Sequence, residues 1–280
     1  MRTLMLFVLS LALLASCFAQ TTAPAAQTGY APVNGLKLYY EIRGTGEPLI
    51  LLHGGVVGII GLGNLPAALA ENRKVIAVEL QGHGRTADID RPFSCQAMAD
   101  DIAALIKYLK LPRADVAGYS LGGAVALQTA IRHPELVGKL VLVSTAFSRN
   151  GWYPEVQAEF DKMGPQGADV MKQTPLAKIY PDVKWDVLFT KLGELLRQPY
   201  DWSAGVSGLK MPVLLVFADA DAIRPEHEVA FYQLLGGGKN DAGLDGSKRA
   251  AAQLAILPGR THYNIAESPA LPGTIAAFLK

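Results

Sequence analysis

The stretch Asp115-Val116-Ala117-Gly118-Tyr119-Ser120-Leu121-Gly122-Gly123 decides the fold. Residues 115–117 read as a short buried strand, and residues 121–131 carry the spacing of a helix. A chain that passes so sharply from strand to helix holds its central residue, Ser120, in a strained backbone conformation. Any Cβ two residues to either side would collide with the turn, a demand met by glycine at 118 and 122, with a further glycine at 123. The turn lifts the serine hydroxyl to the edge of the sheet. It also aims the first amides of the helix, beginning with that of Leu121, at the point where an oxyanion would develop.

Outward from this turn, strands and helices alternate. Apolar runs at 48–52, 75–78, 140–143 and 213–217 have the length and composition of fully buried parallel strands, and residues 254–257 read as the last strand. Leu36, Leu38, Tyr40 and Ile42 alternate with more polar neighbours, the period of a half-exposed antiparallel strand. Met98, Ile102, Leu105 and Leu109 carry helical spacing. The expected architecture is an α/β fold, a mostly parallel central sheet flanked by helices. Its core covers residues 35–146 and 209–280. Between them, residues 147–208 show no readable strand and contain Trp152, Trp185 and Trp202, the only tryptophans of the chain. This segment reads as a small helical cap over the carboxyl edge of the sheet, where α/β folds bind ligands.

A serine hydroxyl needs a base to become nucleophilic at neutral pH, and the base needs an acid to hold its tautomer. Of the five histidines, only His227 and His262 lie beyond the strand at 213–217, in the chain order nucleophile, acid, base. His262 is favoured, because it follows the last strand at the carboxyl edge, whereas His227 would leave that strand without a role. Asp219 and Asp221 both leave the strand at 213–217 and compete for the acid.

With these residues the chain resembles the α/β-hydrolase superfamily from about residue 35 to residue 280, in particular its serine-nucleophile members with a helical cap. The resemblance implies Asp221 as the acid, with Asp219 capping the loop. It implies an oxyanion hole made by the amide of Leu121 and one from the His53-Gly54-Gly55-Val56 loop, at Gly55 or Val56. It also implies that His53 bonds backbone at the base of that loop. Residues 79–86 resemble the family's turn after the next strand, with Gln81 where arginine is more usual. Tyr119, Trp152 and Trp185 are placed in the substrate pocket. The implied reaction is hydrolysis of a carboxylic ester or lactone through an acyl-enzyme on Ser120, without cofactor or metal. Serine at the turn argues against the dehalogenase and epoxide hydrolase branches, which need aspartate there. Carbon–carbon bond hydrolases, haloperoxidases or perhydrolases, and amidases share these residues. A hydrolase-fold binding protein without turnover and an envelope lipoprotein are the readings from other classes.

The formal charge of +1, from 26 basic and 25 acidic side chains, offers no field for gathering phosphates, so nucleic acid is not an expected partner. A small molecule is. Residues 1–19 read as a signal peptide: one arginine, an apolar run over residues 4–14, and a cleavage site at Ala19. The alternative is a lipoprotein signal ending before Cys17, which would anchor the protein to a membrane by lipid. Residues 20–34 are expected to form a flexible spacer, and the protein to be secreted or periplasmic. Either processing route leaves Cys95 unpaired, a buried structural thiol at the start of a helix. Gly236-Gly237-Gly238-Lys239 follows a helix and has Asn240 where a phosphate loop needs Ser or Thr, so it reads as a surface turn.

Overall fold

The computed structural model describes residues 26–280, so the expected export signal and Cys17 lie outside the described residues. Eight strands form one sheet in the order β1-β2-β4-β3-β5-β6-β7-β8. They are β1 Gln27–Val33, β2 Leu36–Arg43, β3 Pro48–Leu52, β4 Lys74–Val78, β5 Ala114–Tyr119, β6 Val137–Val143, β7 Val213–Ala220 and β8 Gln253–Thr261. β1 and β2 pair antiparallel, β2 joins β4 antiparallel, and every pair from β4 to β8 is parallel.

The spacer expected to run to residue 34 is corrected by β1. Ala31 and Val33 are buried, and the turn to β2 is Asn34-Gly35, both with positive φ (+47° and +85°). An Asn-Gly pair at the centre of a two-residue hairpin accommodates this backbone, and it is the local signal for a strand before residue 36. β8 is also longer than expected. It continues past the expected end at residue 257 through Pro258-Gly259-Arg260, because the carboxylate of Asp219 accepts from the amides of Gly259 (2.9 Å) and Arg260 (3.0 Å), and Thr261 pairs with Ala220 beyond an irregularity.

Alternate residues of the parallel strands enter two core layers. Ile50, Val116, Leu142 and Phe217 face one layer; Leu51, Ala117, Val143 and Val216 face the other. The short α1 (Leu65–Leu69) lies in the second layer, whereas α2 (Cys95–Tyr108) and α3 (Leu121–Arg132) lie in the first. After β6 the chain forms α4 (Pro154–Lys162), α5 (Gln166–Met171), α6 (Pro175–Ile179), α7 (Trp185–Arg197) and α8 (Ser203–Gly208) before β7. α9 (Pro225–Leu234) then adds to the first layer, and α10 (Ala270–Leu279) to the second.

The helical segment is fastened to the core at its middle as well as its ends. Tyr180 donates to the fully buried carboxylate of Glu79 (2.7 Å), which also accepts from the side chain of Arg85 (3.1 Å). Lys191 on α7 donates to Asp88 (2.6 Å) and to the carbonyls of Ile89 (2.7 Å) and Arg91 (2.9 Å). The side-chain oxygen of Gln81 accepts from Arg91, its amide donates to Asp88, and Arg91 continues to the buried Asp101. The guanidinium thus comes from a residue ten positions on, so position 81 needs a linker rather than a cation.

Candidate active site

Ser120 sits between β5 and α3 with φ +52° and ψ −115°, outside the regions a side-chain-bearing residue ordinarily adopts. Its amide donates to Val143 (2.9 Å), and its carbonyl accepts from Ala124 (3.0 Å). A Cβ on Gly118 would lie 2.1 Å from the carbonyl oxygen of Gly122, and one on Gly122 would lie 2.4 Å from that of His53. Neither neighbour is a flexible side chain, so the strained serine depends on both glycines.

Three parallel strands end beside one another and deliver the remaining groups. His262, the first residue after β8, places Nε2 3.0 Å from Ser120 Oγ and Nδ1 2.9 Å from Asp221 Oδ1. Asp221 follows β7, and its other oxygen accepts from Ser144 Oγ (2.5 Å) and from the amide of Ala218 (3.1 Å). Burial works to raise the Asp221 carboxyl, but the adjoining His262 and these hydrogen bonds outweigh it and hold it below the ordinary carboxylate value. Tyr119 donates its hydroxyl to the backbone carbonyl of His262 (2.5 Å), so adjacent residues of the turn hold the histidine at its ring and at its main chain.

The other histidines are committed elsewhere. His53 accepts from the amide of Leu80 at Nε2 (3.1 Å) and contacts the carbonyl of Gly54 through Nδ1 (2.6 Å), and burial lowers its pKa to about 3. His83 is likewise buried, its pKa lowered to about 4. His227 Nε2 accepts from the amide of Phe147 (3.1 Å), tying α9 to the start of the helical segment. His133 meets Asp100 (2.7 Å). Asp219 is exposed and serves the end of β8 rather than His262.

A cavity of about 210 Å³ opens over Ser120 between the sheet edge and the helical segment. Leu121, Gly55 and Val56 line it together with Ser120, Tyr119 and Trp152. Val56 has φ +78°, a second strained position beside the serine. Trp152 stands edge-on to His262, with ring centroids 5.2 Å apart, and donates its indole N–H to Tyr200 (2.9 Å). Trp185 is not in the lining, which corrects its assignment to the pocket. It lies at the start of α7, 5% exposed within the core, while Leu192, Leu195 and Leu196 of the same helix face the cavity and Trp202 lines it from α8's leading end. Trp152→Ala is therefore expected to penalise bulky substrates about ten- to a hundredfold relative to small ones, by loss of buried apolar contact. Trp185→Ala should leave that ratio unchanged and cost about 3–5 kcal/mol in stability, measured by denaturant unfolding.

Sequence reading missed two groups. Ser144, with φ +48°, directly follows the buried run of β6, and nothing but that position distinguishes it in the sequence. Glu228 on α9 is 3% exposed. Burial first, then the charges of Asp221 and Glu226, push its carboxyl up to about 8. The folded protein thus keeps this proton to a higher pH than the unfolded chain does. Stability should decline as pH climbs from the ordinary carboxylate range to about 8, and Glu228→Gln should flatten that decline. Thermal unfolding at pH 9 would read a Tm gain of about 2–4 °C for each kcal/mol recovered.

Among the described residues, no group of three or more His, Cys, Asp or Glu has a metal-holding arrangement, and no helix is long and apolar enough to cross a membrane. Cys95 is buried at the start of α2 and lines the cavity, its thiol pushed up to about 12 by burial.

This serine-centred site on a parallel sheet coincides with a family assignment. A sequence profile described as "Alpha/beta hydrolase family" matches residues 49–271, and the chain belongs to that family. An uncharacterized protein of Mycobacterium tuberculosis is 31% identical over 156 residues, which cover 55% of this chain and 45% of that one; the chain thus spans less than half the length of this relative. Among solved structures, the enol-lactonase from Burkholderia xenovorans aligns with a TM-score of 0.68 at 23% identity, covering 89% of this chain and 99% of that one. A thermophilic esterase from Thermogutta terrifontis aligns with a TM-score of 0.71 at 21% identity, covering 91% of this chain and 98% of that one. At these identities the two structures speak for the fold.

Proposed function

We propose that this chain is a serine hydrolase acting on uncharged carboxylic esters or lactones. The observation that carries the reading is the unbroken line from Ser120 Oγ to His262 (3.0 Å) and from His262 to Asp221 (2.9 Å), opening into a largely apolar cavity. Ser120 Oγ attacks the carbonyl carbon as its proton passes to His262 Nε2. The amides of Leu121 and of Gly55 or Val56 receive the oxyanion. The bond to the leaving oxygen then breaks, and His262 returns the proton to that oxygen. Water, losing its proton to the same nitrogen, cleaves the acyl-enzyme; the acid departs and Ser120 regains its hydrogen.

Two observations support a substrate without a carboxylate. The charged residues lining the cavity are Arg149 and Glu267. Arg149 is engaged by Asp161 (2.6 Å) and by the carbonyl of Leu196, and Glu267 would repel an anion. In this reading the export signal over residues 1–19 delivers the enzyme to the periplasm or the medium, where any lipid anchor would be on Cys17. Sequencing the mature N-terminus tests that part.

For the chemistry, the test is a fluorophosphonate probe followed by a panel of p-nitrophenyl esters, lactones and amides. A stoichiometric adduct on Ser120 with ester or lactone turnover is expected. Folded protein that takes no adduct would instead be a binding protein on a hydrolase fold, and turnover confined to amides would overturn the ester reading.

A further inference from the structure

Exposed residues enter the cavity lining from two separate parts of the fold. On one side it includes Gln96 at the start of α2, together with Gln198 and Pro199 between α7 and α8, all three exposed. On the other it includes Tyr263 and Glu267, also exposed, in the turn between β8 and α10. These places lie over opposite faces of the sheet. The buried side of α2, with Met98, Ile102 and Leu105, belongs to the first core layer, whereas Ile265, Leu271 and Ile275 around the second place belong to the other. Ser120 stands between them at the sheet edge, and the helical segment covers the space above.

The position of His262 gives the two ends different tasks. The general acid must stand beside the oxygen it protonates, so the leaving alcohol occupies the His262 side, which continues directly to Tyr263 and Glu267. The acyl group attached to Ser120 must then extend away from His262. Apart from the His262 end, the lining includes the apolar Ala124, Ala146, Leu195, Leu196 and Trp202 and the exposed Gln96, Gln198 and Pro199.

We propose that the cavity is a passage with two mouths, and that its substrates are esters of long, unbranched fatty acids whose chain runs over α3 and out between Gln96 and Gln198. The proposal rests on the serine-hydrolase reading above and adds the acyl class. A closed pocket would set a sharp upper limit on chain length; an open-ended one lets methylenes beyond its own length pass into solvent. Each methylene it does bury contributes about 0.8 kcal/mol. Activity should therefore rise from acetate through octanoate and level off, without collapsing at dodecanoate.

The test compares p-nitrophenyl acetate, octanoate and dodecanoate on the full protein and on Gln96→Trp, Gln198→Trp and Glu267→Trp. At exposed positions an added indole narrows a mouth without entering the core. In the first two variants the ratio of dodecanoate to acetate kcat/KM should fall about tenfold or more, as expected for a few methylenes denied burial. In Glu267→Trp that ratio should hold, while large alcohol groups on a fixed acetyl ester become poorer substrates. Variants at Gln96 and Gln198 that keep the wild-type ratio would overturn the proposal, as would a wild-type protein that accepts acetate and rejects dodecanoate. In both cases Ser120 would still label with fluorophosphonate, so the hydrolase reading would survive. Absence of both labelling and turnover in the wild type would overturn the two together.

Discussion

Ser120→Ala is expected to lower kcat by a factor of about 10⁴ or more with the fold unchanged, and His262→Ala to do the same. The serine is half of the 3.0 Å contact through which its proton would leave in the proposed mechanism, and among the described residues the cavity offers no second nucleophile with a base attached: burial pushes the Cys95 thiol up to about 12. His262 has no substitute either. His53, His83 and His227 are buried with pKa values lowered to about 3, 4 and 4, and His53 and His227 each spend a ring nitrogen accepting a backbone amide. Single-turnover rates with p-nitrophenyl acetate, normalised to folded protein by circular dichroism, measure both losses. Activity within tenfold of wild type in either variant would remove the mechanism.

Asp221→Asn is expected to cost about 10³–10⁴ in kcat, because an amide can present N–H to Nδ1 and stabilise the wrong histidine tautomer. Ser144 and the Ala218 amide already donate to one carboxylate oxygen, which leaves the other to accept from His262. Asp219→Asn should barely change kcat, since that carboxylate serves the Gly259 and Arg260 amides at the surface. A larger loss at 219 than at 221 would reassign the acid. The pair is informative because the two residues leave the same strand two positions apart and differ in what their neighbours make of them.

That pair also marks how far the sequence could be read. Ser120, with Gly118 and Gly122, was legible because the turn excludes side chains by contact distance, a local constraint that leaves its mark in a few consecutive letters. His262 was legible from chain order. The choice of Asp221 required knowing which carboxylate turns inward, and that depends on β8, which is remote in sequence; resemblance to a family supplied it. Trp185 was misplaced because composition locates aromatic residues in the helical segment without saying which face of α7 they occupy. The buried row Leu188, Phe189 and Leu192 shows that face only after the helix is docked. β1 escaped for a different reason: its hairpin signal, Asn34-Gly35, was present, but the strand before it pairs on one side only and half its residues face water. Ser144 and Glu228 matter through tertiary contacts alone.

The fastening of the helical segment determines how substrate arrives. Swinging it aside would break Tyr180 from a buried carboxylate and Lys191 from three oxygens, hydrogen bonds to charged groups worth about 1.5–3 kcal/mol apiece. The segment is thus a ceiling rather than a door. A lipase whose lid peels back at an oil droplet gains rate when its substrate aggregates; a fixed ceiling gives no such gain. Molecules must enter singly from solution, so velocity should track the concentration of dissolved monomer and flatten at the critical micelle concentration.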